Sequence, residues 1–526
     1  MRKNNIAELF RHHAFPSRLT PAYIRLALLL NGADFPQRDK NEPLRYLELG
    51  EGQGQRINIH AATLPEWEYW GIGDSPQDVV AARQAAATAG LDGHIPDISL
   101  ETLACQGLLS DLPQFDIIAI DSAWSRTDET GRQQLLAIIN ACLKTGGIVC
   151  VGYSAMPGCV PLVPVRDLML KQVTFGGAEE ENTLQALKAL DFADIYAQTD
   201  AAFFSAIPNA RSCLESIKNT PFAQLKKNWL NPDWTPFYFA DFAESLGSIR
   251  CRFAASLNLH TQLDMCLPEG VVPLLHAEED TVMRETIRDF GLNQLTRLDI
   301  FARGLHTPSA EAISTQLESM PFCLTGPLDS MTAVVLPSSA GELVFDDDLY
   351  MMFLQVLAEE DYRPKTLAEL KKHDQLKKLD HSLFLAVINI LVAAGLVFPA
   401  TRQATPESEK ACARLNRLFC ENSRHGKPQP ALASPVLGSG IALSWIWQLF
   451  LLAHADGATD PLSCAKAVFG LLAGQNAAPF RNREGNPPGK AESPSLLEAD
   501  AALFFESGLP WLKAMKVLPD SSPSSD

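Results

Sequence analysis

Short apolar runs alternate with longer helical patterns between residues 45 and 153. RYLEL, Arg45–Leu49, predicts a strand that ends at glycines, and residues 54–64 suit a helix. Residues 69–72 predict a second strand. Over 76–89, the apolar Val79, Val80, Ala82, Ala85, Ala86 and Ala89 predict a helix capped by Asp74 or Ser75. A weak third strand is expected at 100–105 and a clearly buried fourth at FDIIAI, 115–120. A helix over 132–143 closes at KTGG, and IVCVGY, 148–153, gives a fifth strand. This alternation predicts a mostly parallel sheet with helices on both faces.

Upstream, PAYIRLALLL at 21–30 has helical composition, and 35–43 is a polar breaker. Beyond Pro164 the alternation stops. Residues 165–190 read as helical, and a mixed region follows to about 340. Helices at 349–357, 366–372 and 381–395, then LVF, resemble a winged-helix unit; a plain helical subdomain is the alternative. From 430 to 516, helices are interrupted by a Pro/Gly/Asn-rich loop at 475–494. The closing PDSSPSSD is expected to be disordered.

The chain has 526 residues, 46% hydrophobic and 20% charged, an ordinary globular balance sufficient for several cores. Its net charge of -18, with no basic run beyond short clusters such as Lys226-Lys227 and Lys371-Lys372, argues against nucleic acid as a partner. The acidity either maintains solubility or favours basic, Lys-rich polypeptides. Eleven cysteines are scattered with no C-x-x-C pair, so no zinc ribbon or thioredoxin site is signalled, and a reducing cytoplasmic setting fits. Cys105, Cys142 and Cys150 fall in apolar or strand-like surroundings, as small hydrophobes. His12-His13 and His276 lack ligand spacing, and no metal is assigned. The N-terminus lacks a long apolar segment, so no signal peptide is expected. The most apolar run, 441–452, is too short for membrane insertion and carries Gln448; it predicts a buried helix.

The first strand leads into E-x-G-x-G-x-G, with Glu48, Gly50, Gly52 and Gly54. Glycines there let the backbone approach a ligand, and ligands in open α/β sheets sit at the carboxyl ends of strands. The spacing is not the G-x-G-x-x-G of dinucleotide binders. At the end of the second strand, Gly73 stands where an acid for a ribose is expected, and Asp74 follows. One step along a strand turns a side chain to the opposite face. Gly73 can bend the chain and bring Asp74 back to a ligand, or Asp74 serves as a helix cap.

These residues, in their order along the chain, resemble class I S-adenosylmethionine-dependent methyltransferases that carry a methyltransferase regulatory domain. The resemblance runs from FPS at 15–17 through LELG-x-G, Gly71-Ile72, Ser75-Pro76, FDIIA and VGYSAMPG at 151–158. It continues in W-x-PFYF at 234–239, RDF at 288–290, DIFARG at 299–304 and SPVLG at 434–438. In layout the chain is similar to bacterial protein-lysine methyltransferases that modify outer-membrane proteins. The resemblance implies S-adenosyl-L-methionine as cofactor, held by Glu48, Gly50, Gly52, Gly54, Asp74 and Ser75. Four positions depart from the family pattern: Gly73, Gln106-Gly107, Ser154 and the stretch 120–125.

Methyl transfer to a lysine needs the amine deprotonated and aligned. Asp121, ending the fourth strand, and Tyr153, ending the fifth, are the catalytic candidates; a loop-entry cap and an ordinary strand aromatic are the alternatives. His60 reads as a surface or packing residue rather than a base. Trp229, Trp234, Phe237, Tyr238 and Phe239 read as core packing, or as a wall of a peptide cleft.

The expected fold class is α/β: a Rossmann-like, mostly parallel methyltransferase sheet followed by mainly helical or α+β accessory domains, one winged-helix-like. The expected divisions are a helical lead-in at 1–43, the methyltransferase domain at 44–164 and a regulatory domain at 165–340. A winged-helix-like domain at 341–405, a C-terminal helical domain at 406–518 and a tail at 519–526 complete them. The expected activity is methyl transfer to protein lysines, from a cytoplasmic enzyme that forms a homodimer. The alternatives are a degenerate methyltransferase fold kept as a scaffold, and a small-molecule methyltransferase.

Overall fold

The computed structural model describes residues 17–36, 42–50, 54–73, 76–96, 100–105, 108–175, 182–218, 225, 229–331, 333–345, 347–401, 404–474 and 493–520. A seven-stranded sheet organises the chain. Its strands are β1 (Arg45–Leu49), β2 (Glu68–Ile72), β3 (Gly93–His94), β4 (Phe115–Ile120), β5 (Leu143–Ser154), β6 (Arg252–Ser256) and β7 (Thr296–Ala302). They lie in the order β3-β2-β1-β4-β5-β7-β6. The first five are parallel, while β7 runs antiparallel to both β5 and β6.

Both faces of this sheet are covered, which is why β4 is buried at every position. Period-two alternation sends Tyr46 and Ile117 into one core, and Leu47 and Ile118 into the other. The helix α1 (Pro21–Leu30) begins with proline at its first position and buries Tyr23, Ile24 and Leu26. Its Tyr23 ring stacks on Phe398 at 5.4 Å. Thus α1 is part of the main core. Cys142 and Cys150 are buried free thiols, and burial pushes Cys142 up to about 11.

Three expectations are corrected, two of them in the first half of the chain. Residues 100–105 form a helix, Leu100–Cys105, and the third strand is the short Gly93–His94. LETLAC buries Leu103, consistent with a helical segment packing one side inward rather than a strand alternating faces. The expected boundary at 164 is also displaced, because β6 and β7 belong to the same sheet as β1–β5. Tyr153 pairs with Arg297 and Val151 with Asp299, across an insertion of more than a hundred residues. Within that insertion the helices Leu162–Phe175, Asn182–Ala197 and Asn209–Lys218 contribute to a separate core with Phe204, Trp229 and Trp234.

Farther on, β8 (Pro321–Leu324) sits between β11 (Lys365–Thr366) and β12 (Val397–Pro399), while β9 (Val334–Ser338) and β10 (Gly341–Phe345) form a hairpin. Helices Asp348–Tyr362, Leu367–Lys372 and His381–Ala393 overlap the three the sequence predicts, the first running five residues beyond its expected end. The apolar run at 441–452 is not one helix. It divides into β14 (Ser439–Ala442), which pairs with β13 (Ala431–Ser434), and a helix Trp445–Ala455 capped by Ser444. Gln448 is fully buried there, its amide donating to the carbonyls of Gln429 and Leu443. Among the described residues no helix is long and apolar enough to cross a membrane.

Three further helices frame the site: α2 (Gln55–Thr63), α3 (Pro76–Ala89) and α4 (Glu129–Cys142). A fourth, α5 (Pro406–Arg424), lies directly on α2 and α3. Cys412 donates its thiol to the Ala62 carbonyl at 3.4 Å, and Arg414 approaches the α3 terminus at Gly90. Gln55, at the first position of α2, hydrogen-bonds Gln429. The C-terminal region therefore braces the helices that follow β1 and β2.

Candidate active site

The turn after β1 is shaped by glycines at positive φ. Gly50 has φ +76 and donates its N–H to the Ile72 carbonyl at 2.9 Å, tying the ends of β1 and β2 together. Gly54, at φ +57, caps α2. A Cβ on Gly54 would stand 2.4 Å from the Ala82 Cβ, so this glycine lets α2 approach α3. Gly52, Asp74 and Ser75 lie outside the described residues. Gln106-Gly107 lie outside them too.

A narrow crevice beside this turn is lined by Gly54, Ile57, Gly71, Gly73, Asp78 and Ile95. Asp78, in the first turn of α3, is an acid the sequence reading did not select. Its signal was present: a carboxylate in the first turn of the helix that follows β2.

A buried ion cluster links β1 to β4. Glu48 is fully buried, and its Oε1 lies 2.8 Å from Arg56 Nη1. Arg56 Nη2 reaches Asp121 Oδ2 at 2.9 Å. Arg56 comes from the first turn of α2, so the helix that follows the glycine turn supplies the cation between two strand-end acids. Its role was not read from the sequence. Asp121 is one-third exposed at 32%, the accessible member of the set. It also accepts from the Ser122 hydroxyl at 3.1 Å, and Gly152 on β5 leaves room for it: a Cβ there would stand 3.1 Å from Asp121 Oδ1.

Tyr153 is placed differently from expectation. Its ring is buried on the opposite face and stacks on Phe242 at 4.0 Å. Its hydroxyl donates to Asp299 at 2.9 Å. The reason is strand alternation: Gly152 faces Asp121, so the next side chain faces away. There Arg297 gathers Asp299, Asp289 and Glu285 at 2.6, 2.6 and 2.8 Å. Burial and the Asp299 charge hold the Tyr153 phenol well above its usual range. Tyr153 thus joins that buried cluster through its hydroxyl.

His60 is a packing residue. It is fully buried and stacks on Tyr69 at 5.7 Å. Burial, reinforced by the Arg56 charge, pushes its imidazole down to about 3, so it is neutral at physiological pH.

The segment 234–238 is stitched across the carboxyl ends of β4 and β5. Trp234 Nε1 donates to Ser154 Oγ at 2.9 Å, and Phe237 N to Ser154 O at 2.9 Å. Thr235 N donates to the Ser125 carbonyl, while Ser125 Oγ accepts from Ser154 N. The departing Ser154 and Ser125 are thus the fastening points of this strap. Trp229, Trp234 and Phe239 are buried, in line with core packing. Tyr238 is 38% exposed and stacks on Phe290 at the surface.

Comparison with known proteins agrees with this architecture. Residues 223–303 match the family described as "Predicted methyltransferase regulatory domain". That span contains the strap, β6 and β7. The chain is 30% identical over 453 residues to the protein sll1526 of Synechocystis sp., covering 85% of this chain and 87% of the relative. It is 22% identical over 287 residues to RP789 of Rickettsia prowazekii, covering 54% and 50%. PKMT2 from Rickettsia typhi, solved in complex with AdoHcy, has the same fold at a TM-score of 0.66 and 17% identity. That alignment covers 95% of this chain and 98% of that one. The chain belongs to one family with its Synechocystis relative, and over residues 223–303 it carries a methyltransferase regulatory domain.

Proposed function

We propose that this protein transfers a methyl group from S-adenosyl-L-methionine to lysine side chains of a protein or peptide. The observation that carries the reading is the Glu48–Arg56–Asp121 cluster at the carboxyl ends of β1 and β4, beside positive-φ glycines. Ligands of open α/β sheets bind at such strand ends. Glu48, Gly50, Gly52 and Gly54, with Asp74 and Ser75, would hold the donor. The described members fit it: Gly50 and Gly54 leave the backbone bare, and Glu48 presents a buried carboxylate.

The donor supplies an electrophilic methyl group on a sulfonium. The protein's own contribution is positional and electrostatic. Two carboxylates facing one guanidinium leave a net negative site, which favours a cationic donor and an incoming lysine ammonium. Asp121, partly exposed, is placed to steer that ammonium and receive its proton, directly or through water. Buried Trp124 and the 234–238 strap keep one side of the strand ends dry, where a near-attack pair is held without competing solvent.

The net charge of -18 supports a Lys-rich substrate, and the scattered buried thiols support a cytoplasmic setting. A homodimer and a winged-helix form for the segment around His381–Ala393 belong to the same reading. The scaffold alternative is not favoured, because Glu48 and Asp121 stand at the ends of β1 and β4 and Gly50 and Gly54 keep positive φ beside them.

The test is calorimetric titration of the full chain with S-adenosylhomocysteine, then transfer of labelled methyl to a Lys-rich polypeptide, with the label traced to methyl-lysine. Micromolar product binding and labelled lysine are expected. A folded chain that binds no donor or product would sink the reading. Label found on another residue type would sink its lysine assignment.

A further inference from the structure

We propose that the regulatory module carries a second ligand site, for a small zwitterion of the amino-acid class, in a cavity remote in sequence from the glycine turn. The cavity, of about 510 Å³, lies where three parts of the chain meet. Leu30 and Asn31 at the end of α1 form one wall, Asn389 of the helix His381–Ala393 another, and residues from the module the rest. The size suits a small molecule, but most such pockets are largely apolar, and this lining is dominated by polar groups.

The helix Thr281–Leu292 sets Arg284 and Arg288 four residues apart, on one face, with Glu285 beside them. Arg288 lines the cavity and is 7% exposed, its guanidinium bonded to Glu285 Oε1 at 3.3 Å and to the Thr261 carbonyl at 2.9 Å. Glu285 is not available to neutralise both arginines, because its Oε2 is taken by Arg297 at 2.8 Å. Arg284, exposed at the rim, has no ion-pair partner among the described residues. This face calls for an anionic group.

Other lining groups call for a donor. Asn389 Oδ1 is buried with no hydrogen-bond partner among the described residues. Asp264 lines the same cavity, paired with His276 at 2.7 Å but with its side chain still 43% exposed. A carboxylate for the arginines and an ammonium for Asn389 and Asp264, carried on one small frame, describe an α-amino acid. Inorganic phosphate meets the first requirement alone.

The experiment is calorimetric titration of the full chain with each of the twenty protein L-amino acids and with inorganic phosphate. Each titration is run with and without saturating S-adenosylhomocysteine. Saturable binding of at least one amino acid under both conditions is expected, weakened about tenfold or more in Arg284→Ala. Arg284 is exposed, so the variant should fold, and Arg284→Lys should recover part of the affinity. Three results overturn the proposal: no amino acid bound by the folded chain, binding unaffected by Arg284→Ala, or phosphate bound with no amino acid bound.

Discussion

Arg56 and Asp121, 65 residues apart in the chain, meet at 2.9 Å across the carboxyl ends of β1 and β4. The same guanidinium holds fully buried Glu48 at 2.8 Å. Removing the cation strands a carboxylate in a dry interior, where breaking a buried pair costs on the order of 3–5 kcal/mol. Arg56→Met should lower the urea midpoint correspondingly. Glu48→Gln in the same background should restore part of the loss, because it removes the stranded charge.

Asp121→Asn keeps the shape and removes the charge and the basic oxygen. S-adenosylhomocysteine affinity should change little, while the methyl-transfer rate falls about a hundredfold or more. Equal losses of affinity and rate would reassign Asp121 to donor binding.

Asp78 lines the crevice between the glycine turn and α3. Asp78→Ala should weaken S-adenosylhomocysteine binding about tenfold, the scale of one lost charged contact. If Asp74 holds the ribose instead, Asp74→Ala will carry that loss and Asp78→Ala will be silent.

Gly54→Ala introduces a side chain at φ +57 and 2.4 Å from the Ala82 Cβ. Left-handed strain and overpacking together should destabilise the fold by about 2–5 kcal/mol, read by chemical denaturation. Ala82→Gly relieves the clash but not the backbone strain, so the double variant should recover only in part.

Asp289 is 2% exposed, and burial pushes its carboxyl up to about 7 against the pull of Arg297, with Asp299 and Glu285 adding to the rise. Its folded pKa therefore lies above its unfolded value near 3.9. Between about pH 4 and pH 7 the unfolded chain has released this proton while the folded chain keeps it. The stability contribution is full below pH 4 and declines by up to about 1.4 kcal/mol per pH unit as pH rises through that window. Asp289→Asn, which mimics the protonated group, should flatten this part of the stability profile measured by urea denaturation from pH 4 to 8.

Much of the fold was legible in the sequence. The strand runs at 45–49 and 115–120 and the helices at 21–30 and 76–89 appear at those residues, because each carries its own periodicity and local breakers. The error at 100–105 came from six residues, too few to separate a helical side from a short apolar run. Glu48, Gly50 and Gly54 were found because a glycine turn after a strand is a local signal.

What the sequence determined by itself was this local grammar: apolar runs buried in the sheet, glycines at the turn and an acidic surface. Tertiary structure decided which groups meet. It brought residues 252–256 and 296–302 into the sheet, because which strands pair is decided by the partners folding brings alongside rather than by a strand's own pattern. It turned Tyr153 away from Asp121 through the strict alternation of β5, and joined the hydroxyl to Asp299, 146 residues on. It drew Arg56 between Glu48 and Asp121, since a buried carboxylate takes whichever cation folding places within reach, and sequence distance does not record that reach.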